Sequence, residues 1–198
     1  THRSVIRWPA AGIMAIVVPL VLALSSTDGH RSFAPLQLDA QSHELMNYLR
    51  QLPDDSLIAA WPAGEQTSLI PYVAGRPVFV NYKAHYPIYE GHIMNMRARM
   101  FDLIDAFVAT DSQPFINLRC RWKVDYLVVD RSLFAGEGDS LRYFAPFNER
   151  VEAALDKTPV SELFLSRRLT DAEVLVAGKY TVLDLDVIAP SDDCQTRD

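Results

Sequence analysis

The first thirty residues limit the architecture more than any other part of the sequence. No charged residue lies between Arg7 and Asp28, and the stretch from Trp8 to Leu24 is almost wholly apolar. A helix needs about twenty apolar residues to cross a bilayer, so this stretch is at the short end of the range. A helix that is hydrophobic all round requires lipid or a large protein around it. We therefore expect one transmembrane helix with its linker over residues 1–30.

The charges around this stretch predict its orientation. Arg3 and Arg7 precede it, and cytoplasmic flanks of membrane helices carry an excess of Lys and Arg. We therefore expect a cell-membrane protein in which the residues after 26 lie on the extracytoplasmic side. A secretory signal peptide is an alternative, because basic residues, an apolar core and the small-residue ending at 23–26 also fit that pattern. A helix buried in a protein core is a third. Because the chain begins without Met, we expect a fragment or a processed product.

The composition argues against a nucleic-acid partner and does not decide whether the two cysteines form a disulfide. The formal net charge is −6, and Lys and Arg form no block, so we expect no nucleic-acid partner. Half of the residues are hydrophobic (49%), as in a globular domain. Cys120 and Cys194 lack the spacing of a zinc site, and two cysteines alone do not define a disulfide framework. Whether they pair is left open.

Hydrophobic periodicity and turn residues divide the remaining chain into alternating strands and helices. Helices are predicted over residues 40–51, 67–74, 93–109, 111–122 and 147–155. Strands are predicted over residues 56–61, 77–82, 124–130, 160–166 and 180–188. Such alternation predicts an α/β domain with a mainly parallel central sheet flanked by helices, preceded by the transmembrane helix. We expect this extracytoplasmic domain over residues 31–190 and a disordered tail over residues 191–198.

No stretch of the sequence contains a complete catalytic or cofactor-binding motif. The loop W-P-A-G-E-Q-T-S lacks the second glycine and the lysine of a phosphate-binding loop. Backbone amides at Thr67 and Ser68 are only a weak signal for anion binding at a helix start. His85, Glu90 and His92 are chemically suited to a divalent metal, but their spacing matches no zinc pattern. They are weak candidates, and we predict no catalytic residue, cofactor or metal site in this chain.

The order of three short motifs nevertheless resembles a known family. An apolar N-terminal helix is followed by A-W-P-A-G at 60–64, G-R-P at 75–77 and V-D-Y at 124–126. This order resembles the extracytoplasmic C-terminal part of GT-C polytopic membrane glycosyltransferases, among them the catalytic subunit of oligosaccharyltransferase. There the first motif reads W-W-D-Y-G, so Trp61 and Gly64 match. The Asp and Tyr have no counterpart here, and recognition of an Asn-linked glycosylation sequence is not carried over.

The resemblance implies a function for the parent protein and a smaller role for this chain. It implies that the catalytic acid, and any divalent metal, belong to loops between earlier membrane helices that this chain lacks. The domain would then position an acceptor or a polyprenyl-linked sugar donor beside that active site. Its implied partners are the lipid bilayer, an upstream transmembrane domain and the polyprenyl-linked sugar. A non-enzymatic membrane-anchored or secreted binding domain is the alternative function.

The candidate contact residues lie in and after the strand at 56–61. They are Trp61, Gly64, Glu65, Tyr82 and Tyr86. An aromatic ring beside a glycine loop offers a flat face to a sugar or a peptide. Trp61 either provides such a face or packs the strand end against the next helix, and the sequence does not decide between these two roles.

Overall fold

The computed structural model describes residues 37–81, 89–136, 139–141, 143–190 and Cys194. The predicted membrane helix and its linker lie outside the described residues, as does almost all of the predicted tail. Within the described ranges, no helix is both long and apolar enough to span a membrane. From Leu38 onward these residues belong to one compact unit.

Helices account for most of the regular structure. In chain order they are α1 (Ala40–Gln51), α2 (Glu65–Leu69), α3 (Glu90–Phe107), α4 (Gln113–Trp122), α5 (Phe147–Leu155), α6 (Phe164–Arg168) and α7 (Leu185–Ile188). A π-helical turn, Ile70–Ala74, continues α2. Short 3-10 helices cover Arg131–Phe134, Asp139–Leu141, Val160–Glu162 and Leu169–Asp171. The predicted helices over 40–51 and 147–155 are confirmed to the residue.

The sheet has four strands, β1 (Ile58–Ala60), β2 (Tyr126–Asp130), β3 (Glu173–Ala177) and β4 (Tyr180–Asp184), in the order β1-β2-β4-β3. β1 and β2 run parallel, whereas β4 is antiparallel to both β2 and β3. The prediction of a mainly parallel sheet is therefore wrong, and the fold is mixed α/β. The reason is the short turn at Gly178 and Lys179, which makes β3 and β4 a hairpin and so an antiparallel pair. Gly178 has a φ of 58°, a left-handed conformation that glycine adopts without strain.

Three other strand predictions also need correction. Residues 160–166, predicted as extended, form the 3-10 helix Val160–Glu162 and the beginning of α6. The predicted strand over 77–82 is reduced, in its described part, to one parallel bridge between Ile58 and Val78. β3 was not predicted. The predicted strand over 180–188 is shortened to β4, because Leu185–Ile188 form α7; β4 lies inside the sheet, between β2 and β3.

Side chains from alternate positions of the strands enter two apolar cores, one on each face of the sheet. Leu127 and Val129 of β2 pack with residues of α3, α4 and α5. Val128, between them, packs on the other side with residues of α1 and α2. This alternation is the period of two expected of a strand with both faces covered. The sheet is thus a middle layer between helices, and the carboxyl ends of β1 and β2 are adjacent.

A disulfide joins α4 to the end of the chain. Cys120 and Cys194, left unassigned by the sequence, are bonded to each other with a Cα–Cα distance of 5.3 Å. They are 74 residues apart, so the bond closes a loop that includes β2, β3 and β4.

Candidate functional site

A crevice lies where the parallel strands β1 and β2 end. In open α/β sheets, ligands bind outside the carboxyl ends of parallel strands. The crevice has a volume of about 110 Å³. Its lining residues come from both strand ends, from the start of α2 and from the β3–β4 turn, and they are Ala60, Trp61, Gly64, Glu65, Gln66, Val128, Asp130, Leu133, Lys179 and Tyr180. Three of the residues that the sequence proposed for ligand contact, Trp61, Gly64 and Glu65, are in this set.

The loop from Trp61 to Gly64 forms one wall, and its shape is fixed by hydrogen bonds. The Gly64 amide donates to the Trp61 carbonyl over 2.8 Å. The Thr67 hydroxyl donates to the carbonyls of Pro62 and Gly64 over 3.2 and 2.7 Å. A Cβ atom at position 64 would lie 2.9 Å from the Trp61 carbonyl oxygen, closer than real Cβ contacts. Glycine is therefore required for this turn, which leads directly into α2.

Gln66 places a buried amide at this wall. The residue is only 5% exposed. Its Nε2 donates to the Tyr180 hydroxyl over 2.8 Å and to the Ser42 hydroxyl over 3.2 Å. Its Oε1 has no hydrogen-bond partner among the described residues. An unpaired buried polar atom costs about 1–3 kcal/mol, and the residue that carries this one lines the crevice.

An ion pair borders the crevice on the side of the hairpin. Lys179 Nζ lies 2.9 Å from Asp130 Oδ2. The hydrogen bond to Asp130 raises the pKa of Lys179 above its usual value, so the lysine is cationic at neutral pH. Asp130 Oδ1 also accepts from the backbone amide and the hydroxyl of Ser132, at 2.9 and 2.5 Å. The carboxylate is thereby held in place, while the lysine is 46% exposed and accessible to a ligand.

Trp61 is a packing residue in this structure as well as a part of the lining. Its side chain is 4% exposed. The ring centroid lies 5.0 Å from that of Phe107 and 6.1 Å from that of Tyr143, in tilted and edge-on geometries that aromatic pairs prefer. Of the two roles left open by the sequence, the geometry fits packing of the strand end. Gly64 and Glu65, at the rim, are more exposed.

The other candidates from the sequence lie elsewhere or outside the described residues. Tyr82, His85 and Tyr86 belong to the part of the chain that is not described. Glu90 and His92 are exposed at the start of α3. In the described ranges, no three His, Cys, Asp or Glu side chains are grouped so as to hold a metal ion.

Four polar lining residues escaped the sequence-based prediction: Gln66, Asp130, Lys179 and Tyr180. Asp130 had a usable signal, since it follows the apolar run of β2 directly. Lys179 also had one, because a glycine before it marks a turn between two short apolar segments. Nothing in the local pattern indicates Gln66, whose role depends on Tyr180, 114 positions later.

Comparisons with known proteins give a similarity of fold at low sequence identity. No protein-family model and no curated protein matches the chain. Among solved structures, the chain is similar to the C-terminal globular domain of oligosaccharyltransferase from Archaeoglobus fulgidus, with a TM-score of 0.48 and 15% sequence identity. The match covers 75% of this chain and 99% of that one.

Proposed function

We propose that this chain is the extracytoplasmic C-terminal domain of a membrane glycosyltransferase-like protein. In this proposal the crevice positions an acceptor or a polyprenyl-linked sugar donor beside an active site formed by the membrane part. The main support is the location of A-W-P-A-G, the motif on which the family resemblance depends. Ala60, Trp61 and Gly64 of that motif line the crevice, directly beside the buried amide of Gln66.

The lining is suited to a ligand rich in hydroxyl or amide groups. Gln66 Oε1 offers an acceptor, Asp130 a carboxylate and Lys179 an ammonium group, whereas Val128 and Leu133 contribute apolar surface. Saccharides and extended peptides both combine polar groups with apolar surface. We assign the crevice a role in positioning, and the proposal leaves the acid and any divalent metal of the reaction to the membrane part.

The disulfide supports the extracytoplasmic location. Disulfides persist in secreted proteins, in the periplasm and at the cell surface, whereas cytosolic thiols are usually kept reduced. A bond between Cys120 and Cys194 therefore agrees with the orientation that Arg3 and Arg7 predict for the N-terminal segment. Anchoring through residues 1–30 is part of the proposal.

The proposal is tested by sugar transfer in membranes that contain the complete protein. Lys179→Gln removes a charged donor at the rim of the crevice, and a charge-assisted hydrogen bond contributes about 1.5–3 kcal/mol. We expect transfer from a polyprenyl-linked donor to fall by roughly tenfold or more, with an unchanged amount of folded protein. Lys157→Gln is the matched control, because Lys157 is exposed on the chain after α5, outside the crevice lining.

Two results would contradict the proposal. The first is equal transfer by the Lys179 and Lys157 variants, which would show that the crevice does not take part. The second is sugar transfer by residues 31–198 without the membrane part, since the proposal assigns the reaction itself to that part. Binding of a saccharide or peptide without any transfer by the complete protein would favour the non-enzymatic binding domain.

A further inference from the structure

Apolar side chains at the start of helix α3 are exposed to solvent. Tyr89, which precedes the helix, is 74% exposed, and Ile93 and Met94 are 43% and 58% exposed. Every residue from 89 to 95 is exposed, whereas Met100, further along the same helix, is fully buried. Helices in proteins gain most of their stability from the packing of an apolar face. The first turns of α3 have such a face without a partner among the described residues.

The exposed apolar residues belong to the same stripe that packs the rest of α3 into the core. Ile93, Met96 and Met100 follow each other at spacings of three and four residues, which places them on one face of the helix, and Tyr89 directly precedes the helix. Met96 is partly buried against the core cluster that contains Met100. The stripe thus runs from the core to the exposed helix start, where its outer third has no packing partner in the part of the chain that the structure describes.

Unpaired positive charge lies next to this apolar end. Arg97 is exposed, and the guanidinium of Arg99 stacks between the rings of Phe79 and Trp122, at 5.3 and 5.1 Å. Among the described residues, neither arginine has a carboxylate within salt-bridge distance. The acidic residues of the second half of α3, by contrast, bind basic partners, Asp102 with Arg121 and Asp105 with Arg150.

The charge at the start of α3 is opposite in sign to the net charge of the whole chain. The formal net charge is −6, yet residues 89–99 contain two arginines, a histidine and a single acidic residue, Glu90. Arg97 stacks on the ring of Phe101 at 5.5 Å and, like Arg99, has no acidic partner in the described ranges. This local charge complements a lipid surface that contains anionic phosphates, because Lys and Arg next to an inserted apolar face are attracted to the headgroups.

We propose that the start of α3, from Tyr89 to Arg97, docks on an anionic lipid bilayer. Ile93 and Met94 enter the interface, Tyr89 lies at the level of the headgroups, and Arg97 reaches their phosphates with its apolar stem on the membrane side. This contact is separate from the membrane helix predicted over residues 1–30 and goes beyond the function proposed for the crevice. It gives the domain a second attachment that limits how it can rotate above the membrane.

A fluorescent probe on the exposed helix start tests the proposal in the full chain. The native cysteines are bonded to each other, so Met94→Cys can be labelled selectively with an environment-sensitive dye. The matched control is Val187→Cys, because Val187 is an equally exposed apolar residue (57%) on α7. With phosphatidylcholine–phosphatidylglycerol vesicles, we expect the emission at position 94 to shift to the blue and to be quenched by nitroxide-labelled lipid. The probe at position 187 should show neither effect.

The role of charge is tested by a second pair of variants that carry the probe at position 94. One basic residue near an anionic surface changes membrane affinity by about fivefold, so reversal of one charge by Arg97→Glu should weaken the response by on the order of 25-fold. Lys157→Glu, with the same charge change at an exposed site outside α3, should weaken it much less. Equal losses in the two variants would overturn the proposal. So would a blue shift at position 94 without quenching by lipid, because protein would then cover the helix start.

Discussion

The two ends of the parallel pair β1–β2 differ in how completely their polar groups are satisfied. At the amino end, Asp125 accepts from the Leu57 amide over 2.8 Å and binds Arg119 over 2.5 Å. Arg119 also reaches Asp186 at the start of α7. At the carboxyl end, the buried amide of Gln66 has one oxygen without a partner in the described structure.

The comparison shows that size alone does not identify a binding site. The amino end has the larger crevice, about 300 Å³ against about 110 Å³ at the carboxyl end. Arg119, Asp125 and Asp186 of its lining, however, already form ion pairs with one another, so a ligand of these groups would have to replace existing bonds. The carboxyl end, by contrast, is lined by the buried side chain of Gln66, whose Oε1 has no partner in the described structure, although buried polar groups are normally satisfied in folded proteins. We therefore propose ligand binding at the carboxyl end, where Trp61 also packs into the core, and a purely structural role for the ion pairs at the amino end.

The largest effect is expected from Trp61→Ala, which tests whether the carboxyl end also contributes to the core. The ring is buried and contacts Phe107 and Tyr143. Its loss should lower the free energy of unfolding by about 3–5 kcal/mol, the usual range for a buried large aromatic residue. Urea denaturation measures this value, with Tyr72→Ala as control because Tyr72 is 87% exposed. A loss below about 1 kcal/mol would show that Trp61 does not pack as described.

The second-largest loss of stability is expected on removal of the disulfide, which joins Cys120, the neighbour of Arg119, to the end of the chain. Replacing both cysteines by serine should lower the free energy of unfolding by roughly 2–4 kcal/mol, because the closed loop is long. The oxidised protein should show the same loss when a reductant is added, and the double variant should be insensitive to it. If the reductant destabilises both proteins equally, the bond does not contribute.

A smaller loss is expected at the amino end itself. Asp125→Ala removes the acceptor of the Leu57 amide and the partner of Arg119. Because this carboxylate is one-third exposed, we expect the free energy of unfolding to fall by about 2 kcal/mol, within the range for hydrogen bonds to charged groups. Asp156→Ala, at an exposed position after α5, is the control. Ligand binding in the crevice, measured per folded molecule, should be unchanged. If Asp125→Ala selectively weakened that binding, the two ends would not have the separate roles proposed here.

The smallest change in stability should come from Gln66→Leu. The variant loses two hydrogen bonds but also removes an unpaired buried oxygen, so the net loss should be about 1 kcal/mol. Ligand binding in the crevice should nevertheless be abolished. Gln51→Leu, at an exposed position on α1, should leave both properties unchanged. A loss of stability as large as that of Trp61→Ala would assign Gln66 to the core instead.

Local features of the sequence predicted the helices better than the sheet. The helix over 40–51 was predicted correctly, and Asp39 caps it by accepting from the Ser42 amide over 2.6 Å. The direction of the strands depends on which segments meet in space, and the hairpin partner β3 was not predicted, although it has the same five-residue length as β2 and β4. The predicted loop at 61–65 does border the candidate site. Its other side comes from Asp130 and Lys179, and no local pattern brings these residues together with the loop.

The most direct test of the account is an NMR titration of the isotopically labelled full chain with a water-soluble, short-chain analogue of a polyprenyl-phosphate sugar. We expect the backbone amide signals of Gly64, Gln66, Lys179 and Tyr180 to shift together and to saturate with one affinity. Gln66→Leu should remove these shifts, whereas Asp125→Ala should retain them. Shifts confined to the amino end around Arg119, or no saturable shifts at either end, would contradict this expectation.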